Sequence, residues 1–115
     1  MLLNLTNHPS KQWSAKQYDH AIELYQEVQD LPFPQISPAL DSASLDFLVE
    51  EYEHKIRQID PSVVHVMGEM TFSFRLVQKL KSAGILCIAS TTERITEQIG
   101  DIKTSRFEFI QFRPY

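Results

Sequence analysis

The 115-residue sequence has a single cysteine, three glycines, no excess of basic residues and no long apolar run. A lone Cys87 excludes an internal disulfide framework and a cysteine-based zinc site, and it suits a reducing compartment. Eleven Lys and Arg against fifteen Asp and Glu give a formal charge of -4, which argues against a surface for duplex nucleic acid. It does not argue against a small anion held in one local pocket. No apolar stretch approaches the roughly twenty residues of a membrane span, and Met1-Leu2-Leu3-Asn4-Leu5 is too short and uncharged to read as a signal peptide. The expectation is a cytoplasmic protein without a membrane partner. Repeats and low-complexity tracts are also missing, and the length fits one domain over residues 1–115.

What is present is an ordered series of periodic segments. Leu2 to Thr6 reads as a strand that runs into the polar loop Asn7-His8-Pro9-Ser10, where Pro9 prevents further central pairing. Ser14 and Gln17 have capping-box spacing, and Tyr18, Ala21, Ile22 and Tyr25 recur at helical spacing behind them. Glu27 to Leu31 reads as a short second strand, followed by a proline-containing loop to Ser42. Ser44 is the expected N-cap of a long helix with Leu45, Leu48, Val49, Tyr52, Ile56 and Ile59 on one face, stopped by Asp60-Pro61.

Val63 to Met67 is a β-rich run ending at Gly68. Thr71 then opens a helix that turns Phe72, Leu76, Val77, Leu80 and Ala83 inward, with Gly84 as its left-handed cap. Ile85 to Ala89 reads as a buried strand broken by Ser90-Thr91-Thr92-Glu93-Arg94, and Ser105 to Phe112 as a final strand. Between them, Ile95 and Ile99 suit a helix while Gly100-Asp101 suits a hairpin turn, and the hairpin is favoured. The alternation of strands and helices predicts an α/β fold: a small Rossmann-like three-layer domain with a mostly parallel sheet and a C-terminal strand or hairpin. Ligands of such sheets bind beyond the carboxyl ends of the strands. The loops 7–10, 68–71 and 90–94 lie at three such ends and should converge.

Each loop has a bland and a chemical reading. Gly68-Glu69-Met70-Thr71 is either a tight turn capped by Thr71 or a place where free N–H groups at a helix start face a phosphate. Glu69 would repel that phosphate, which leaves it to order the loop or to accept a base or ribose hydrogen bond. No dinucleotide or P-loop glycine motif is present. Ser90 to Arg94 is either a solvated turn, with Arg94 paired to Glu93 or Glu97, or a set of hydroxyls and a guanidinium for ribose and phosphate. Asn7, His8 and Ser10 offer hydrogen bonds, with His8 the loop histidine suited to proton transfer. His65, between Val64 and Val66, reads as a satisfied core residue, His20 and His54 as helix residues, and Cys87 as buried packing. No pair of histidines has zinc-ligand spacing, so no metal or other cofactor is expected.

The run Val63 to Phe72, the run Gly84-Ile85-Leu86-Cys87-Ile88-Ala89-Ser90-Thr91-Thr92-Glu93-Arg94, Lys103 to Phe107 and the ending Gln111-Phe112-Arg113-Pro114-Tyr115 resemble the small single-domain CRISPR-associated Rossmann-fold (CARF) proteins. The resemblance covers residues 63–115. It implies recognition of a cyclic oligoadenylate messenger of type III CRISPR defence by a homodimer, whose two-fold axis suits a two-fold ring. With no room for an output domain, it implies a ring nuclease, which opens the messenger by metal-independent attack of a ribose 2′-hydroxyl on the adjacent phosphate. By matching positions, Gly68, Glu69, Met70 and Thr71 and then Thr91, Thr92 and Arg94 would contact the ligand, with Lys103 a further charge donor. Asn7, His8 and Ser10 join the set from their place in the expected fold, and His8, Ser10, Arg94 and Lys103 are the candidates for catalysis. Two other functions stay open: a cyclic-oligoadenylate sensor without cleavage, and a Rossmann-like enzyme of nucleosides or metabolites.

Overall fold

Five consecutive buried residues, Leu2–Thr6, form the interior strand β1 of the sheet in the computed structural model, which describes residues 1–115. Around it the chain adds α1 (Ala15–Tyr25), β2 (Val28–Asp30), α2 (Ser42–Ile59), β3 (Val63–Met67), α3 (Met70–Ser82), β4 (Leu86–Ile99) and β5 (Ile102–Pro114). The architecture is α/β with a mostly parallel five-stranded sheet. Its order is β2-β1-β3-β4-β5; β1 pairs in parallel with β2 and β3, β3 with β4, and β5 runs antiparallel to β4. The step from β1 to β2 goes one way along the sheet and the steps to β3 and β4 go the other. Right-handed crossovers then send α1 to one face and α2 and α3 to the opposite one.

Side chains alternate along each strand, so the two faces can be read residue by residue. Leu3, Leu5, Val64, Val66 and Cys87 meet Leu45, Val49, Ile56, Phe72, Leu76 and Leu80 of α2 and α3 in one continuous apolar cluster. Burial pushes the Cys87 thiol up to about 11, which keeps it protonated and inert. On the α1 face Leu2, Ala21, Val63 and Ile88 form a much smaller cluster at the amino ends of the strands. The inward residues nearer the carboxyl ends of that face are Asn4, Thr6 and His65, all buried and all polar.

Helix boundaries follow the caps. Ser14 Oγ accepts the Gln17 N–H at 3.2 Å and opens α1. The expected Ser44 cap of α2 is replaced by Asp41, whose Oδ1 accepts the Ser44 N–H at 2.7 Å, so the helix starts three residues earlier. Asp60, in the left-handed region at φ 55°, ends it. Thr71 does not cap α3: Glu69 does, accepting the N–H groups of Thr71 at 2.9 Å and Phe72 at 2.8 Å. Ala83, expected inside, is exposed at the end of that helix, and Gly84 follows at φ 79°.

The largest departure lies in β4. It does not break at Ser90 but continues for fourteen residues and pairs with β5 from Ile88–Pro114 to Ile99–Ile102. The turn is Gly100-Asp101, with the positive φ of 62° on the glycine that a two-residue hairpin loop needs. A bulge opposite Thr91 and Thr92 lets both Phe109 and Phe112 face α1, with their rings 4.9 Å apart. Beyond the bulge both faces of the hairpin are solvated, and it projects as an arm. The radius of gyration, 16.0 Å, accordingly exceeds the roughly 13 Å of a compact domain this long.

Candidate functional site

The sheet order reverses between β1 and β3, and a cleft of about 580 Å³ opens beyond the carboxyl ends of β1, β3 and β4 on the α1 face. Asn7 and His8 line it from the first loop, Gly68 from the second, and Ser90 and Thr92 from β4. Gln12, Trp13, Ser14 and Gln17 close it on the α1 side, and Phe107 and Phe109 line it from β5. Thr6, His65 and Met67 complete the floor. No lysine or arginine is among the lining residues. The chemistry on offer is neutral hydrogen bonding, aromatic contact and one exposed imidazole, that of His8.

The loop after β1 is held by a polar row beneath it. The sheet register sets Asn4 beside Asp30 on one side and His65 on the other. Asn4 Nδ2 donates to Asp30 Oδ1 at 2.8 Å and to the His8 carbonyl at 2.9 Å, and Trp13 Nε1 donates to the same carbonyl at 3.2 Å. Asp30 also accepts from the Ser10 N–H at 3.0 Å and the Ser10 hydroxyl at 2.8 Å. Partial burial would raise the Asp30 pKa, but the hydrogen bonds from Asn4 and Ser10 and the charge of Lys11 outweigh it, and the carboxyl sits below its ordinary value. The Asp30-Leu31-Pro32-Phe33-Pro34 segment thereby has two jobs. Asp30 anchors the loop, and the Phe33 ring lies over Gly68, where any Cβ would collide with it, and edge-on to Phe72 at 5.3 Å.

The candidate residues divide accordingly. Asn7, His8, Gly68 and Thr92 meet in the cleft. Ser10 lies behind the loop on Asp30, and Gly68 has its open side against Phe33. Glu69 occupies the N–H groups at the start of α3, so they do not stand free for a phosphate. Its carboxyl is held below the usual range by the Thr71 hydroxyl first and then by the N–H groups of Phe72 and Thr71. Thr71 is bound to Glu69, while Met70 lines a separate apolar groove with Phe74 and Tyr115. Thr91 points to the other face and donates to the Gln111 carbonyl at 3.3 Å. Arg94 and Lys103 stand outside the cleft on the arm, though strand alternation puts both on the face that carries Thr92 and Phe107. Arg94 pairs with neither Glu93 nor Glu97; its Nη2 donates to Ser105 Oγ at 3.3 Å.

Trp13, His65 and Gln12 were not singled out for the site. Trp13 is the lone tryptophan and follows the first polar loop, which is a signal the sequence does carry. His65 is buried as expected but not satisfied. Its Nδ1 meets Asn4 Oδ1 at 3.0 Å, whereas Nε2 has no partner, and burial lowers its pKa from 6.5 to about 4. The ending Arg113-Pro114-Tyr115 ties the sheet together: the Tyr115 hydroxyl donates to the Val66 carbonyl at 2.5 Å, and Lys81 Nζ donates to the Tyr115 carbonyl at 3.0 Å.

Fold and cleft together define an α/β protein with a ligand-sized site at the carboxyl edge of a mostly parallel sheet. The chain belongs to the uncharacterized protein MJ1673 family, whose model matches residues 1–113. No curated protein and no solved structure matches it. No helix is long and apolar enough to cross a membrane.

Proposed function

We propose that this cleft binds a cyclic oligoadenylate and that the protein, a Rossmann-like domain of the CARF type acting as a homodimer, opens the ring. The observation that carries the reading is the position of the cleft, beyond the strand ends at the reversal of sheet order, with the His8 loop, Gly68 and Thr92 around it. The resemblance of residues 63–115 to CARF proteins supports the same ligand. In this reading the ribose 2′-oxygen attacks its neighbouring phosphorus, the bond from phosphorus to the 5′-oxygen breaks, and the leaving 5′-oxygen takes a proton. His8 moves protons. Arg94 and Lys103 neutralise the charge that develops on the phosphate, and the fold supplies in-line geometry.

The test is incubation of the purified protein with cyclic tetra-adenylate and cyclic hexa-adenylate in excess EDTA. The expected products are linear fragments ending in a 2′,3′-cyclic phosphate, and a ring with every 2′-hydroxyl methylated should bind and stay closed. Rings that neither bind nor open would overturn the reading. The lack of lysine and arginine in the cleft lining favours one alternative, a sensor that binds without cleaving. Saturable binding with intact rings would select it.

A further inference from the structure

The hydrogen bonds around Asn4 leave a single assignment for His65. Asn4 Nδ2 faces the Asp30 carboxylate and the His8 carbonyl, two acceptors, so both amide hydrogens are engaged there. Turning the amide over would set its oxygen 2.8 Å from a carboxylate oxygen, an acceptor against an acceptor. Asn4 Oδ1 is therefore the acceptor that meets His65, and it also receives the Thr6 hydroxyl at 3.1 Å. His65 Nδ1 carries the proton and Nε2 carries a lone pair. The anchor at the far end of the row, Asp30, fixes this tautomer through Asn4.

That lone pair is unmet. His65 is 2% exposed and lines the floor of the cleft, and its Nε2 has no hydrogen-bond partner. The neighbouring rings, Trp13 at 5.5 Å and Phe112 at 5.4 Å, meet the imidazole edge-on, and the Trp13 N–H is already committed to His8. A buried acceptor left without a donor is destabilising in the free protein, and a ligand that supplies the donor removes that deficit.

We propose that His65 Nε2 is the specificity-determining acceptor of the cleft, taking an N–H of an aromatic heterocycle: the exocyclic amino group of adenine, on the reading of the cleft as an oligoadenylate site. A phosphodiester cannot fill this place, because it has no proton to donate and its anionic oxygen would face a lone pair. Charging the imidazole would require a buried cation in an apolar ring of neighbours. The walls suit a planar ring, with Trp13, Phe107 and Phe109 around the floor. Phosphates then belong at the mouth, on the side of the arm where Arg94 and Lys103 stand.

The test compares two rings blocked at every 2′-hydroxyl, cyclic tetra-adenylate and the same ring built from unsubstituted purine, with emission of the single Trp13 as the readout. Wild-type protein should bind the adenine ring about tenfold or more tightly than the purine ring, and His65→Phe, which keeps a ring but loses Nε2, should bind the two alike. Nitrogen-15 spectra of the wild type provide a second measurement that needs no variant to fold. The free protein should show a neutral imidazole protonated at Nδ1, and the Nε2 resonance should move with the adenine ring and not with the purine ring. Equal binding of both rings by the wild type, or an unmoved Nε2, would overturn the role of His65 while leaving oligoadenylate binding intact. Failure of both rings to bind would overturn the reading of the cleft itself.

Discussion

The two faces of the sheet are built from the same strands and carry opposite chemistry. Under α2 and α3 the three middle strands contribute a row of apolar side chains, Leu3 and Leu5 from β1, Val64 and Val66 from β3 and Cys87 from β4. Under α1 the same strands begin apolar, with Leu2, Val63 and Ile88, and turn polar two residues later, with Asn4, His65 and Ser90. A shift of one residue in register would exchange the faces, so the pattern is fixed by the alternation of the strands. One face supplies the burial that holds the fold together. The other gives up part of that burial to keep hydrogen-bonding groups at the carboxyl edge, where the sheet order reverses and the cleft opens.

The largest expected effect lies on the apolar face. Phe72→Ala removes a fully buried ring that touches Phe33 and Tyr52 edge-on and should cost about 3–5 kcal/mol in denaturant unfolding. Phe112→Ala on the other face, where the ring is half-buried, should cost clearly less. Equal losses would break the comparison.

A second effect sharpens it through pH. His65 is neutral in the fold, with its pKa lowered from 6.5 to about 4, so the unfolded chain binds the proton first as pH falls. The fold therefore loses stability as pH falls from 6.5 to about 4, by roughly 3 kcal/mol over that window, and nothing is lost on this account above pH 6.5. Asp30 and Glu69, both held below their ordinary values, lose their contributions at lower pH still. Melting curves between pH 7 and pH 4.5 should show the decline, and His65→Phe should flatten it. A wild-type curve without slope in this window would contradict a buried neutral imidazole.

Next in size is the cap of α3. Glu69→Ala frees the N–H groups of Thr71 and Phe72 and should lower stability by about 1 kcal/mol. It should leave the tautomer of His65 unchanged, because Glu69 belongs to neither the polar row nor the cleft lining. The smallest effect belongs to the arm. Ile99 and Ile102 are 78% and 69% exposed at the hairpin tip, and replacing both with serine should move unfolding by no more than about 0.5 kcal/mol in dilute protein.

The arm also shows where sequence reading stops. Leu2–Thr6 and Val63–Met67 were legible to the residue because short, mostly apolar runs followed by Pro9 and Gly68 leave little choice. β4 was not, since Ser90 to Arg94 is polar on both faces, and polar hydroxyl-rich segments read as loops until a partner strand is known. The hairpin turn at Gly100 was legible from its own chemistry. Caps were ambiguous for a local reason: Asp41-Ser42-Ala43-Ser44 offers several side chains that can cap, as does Glu69-Met70-Thr71, and only geometry selects the carboxylates. The convergence of Asn7, His8, Gly68 and Thr92 followed from the order of elements. The row Asp30, Asn4, His65 could not follow from it, because its three members come from three strands and meet only through the register of the sheet.

Amide chemical-shift mapping on addition of the uncleavable cyclic tetra-adenylate tests the division between the faces most directly. The predicted shifts cluster at Thr6, His8, Trp13, His65, Gly68 and Thr92 around the cleft, with α2 and the outer side of α3 unmoved. Shifts centred on the groove of Met70 and Phe74, or on α2, would contradict the assignment of the α1 face as the site.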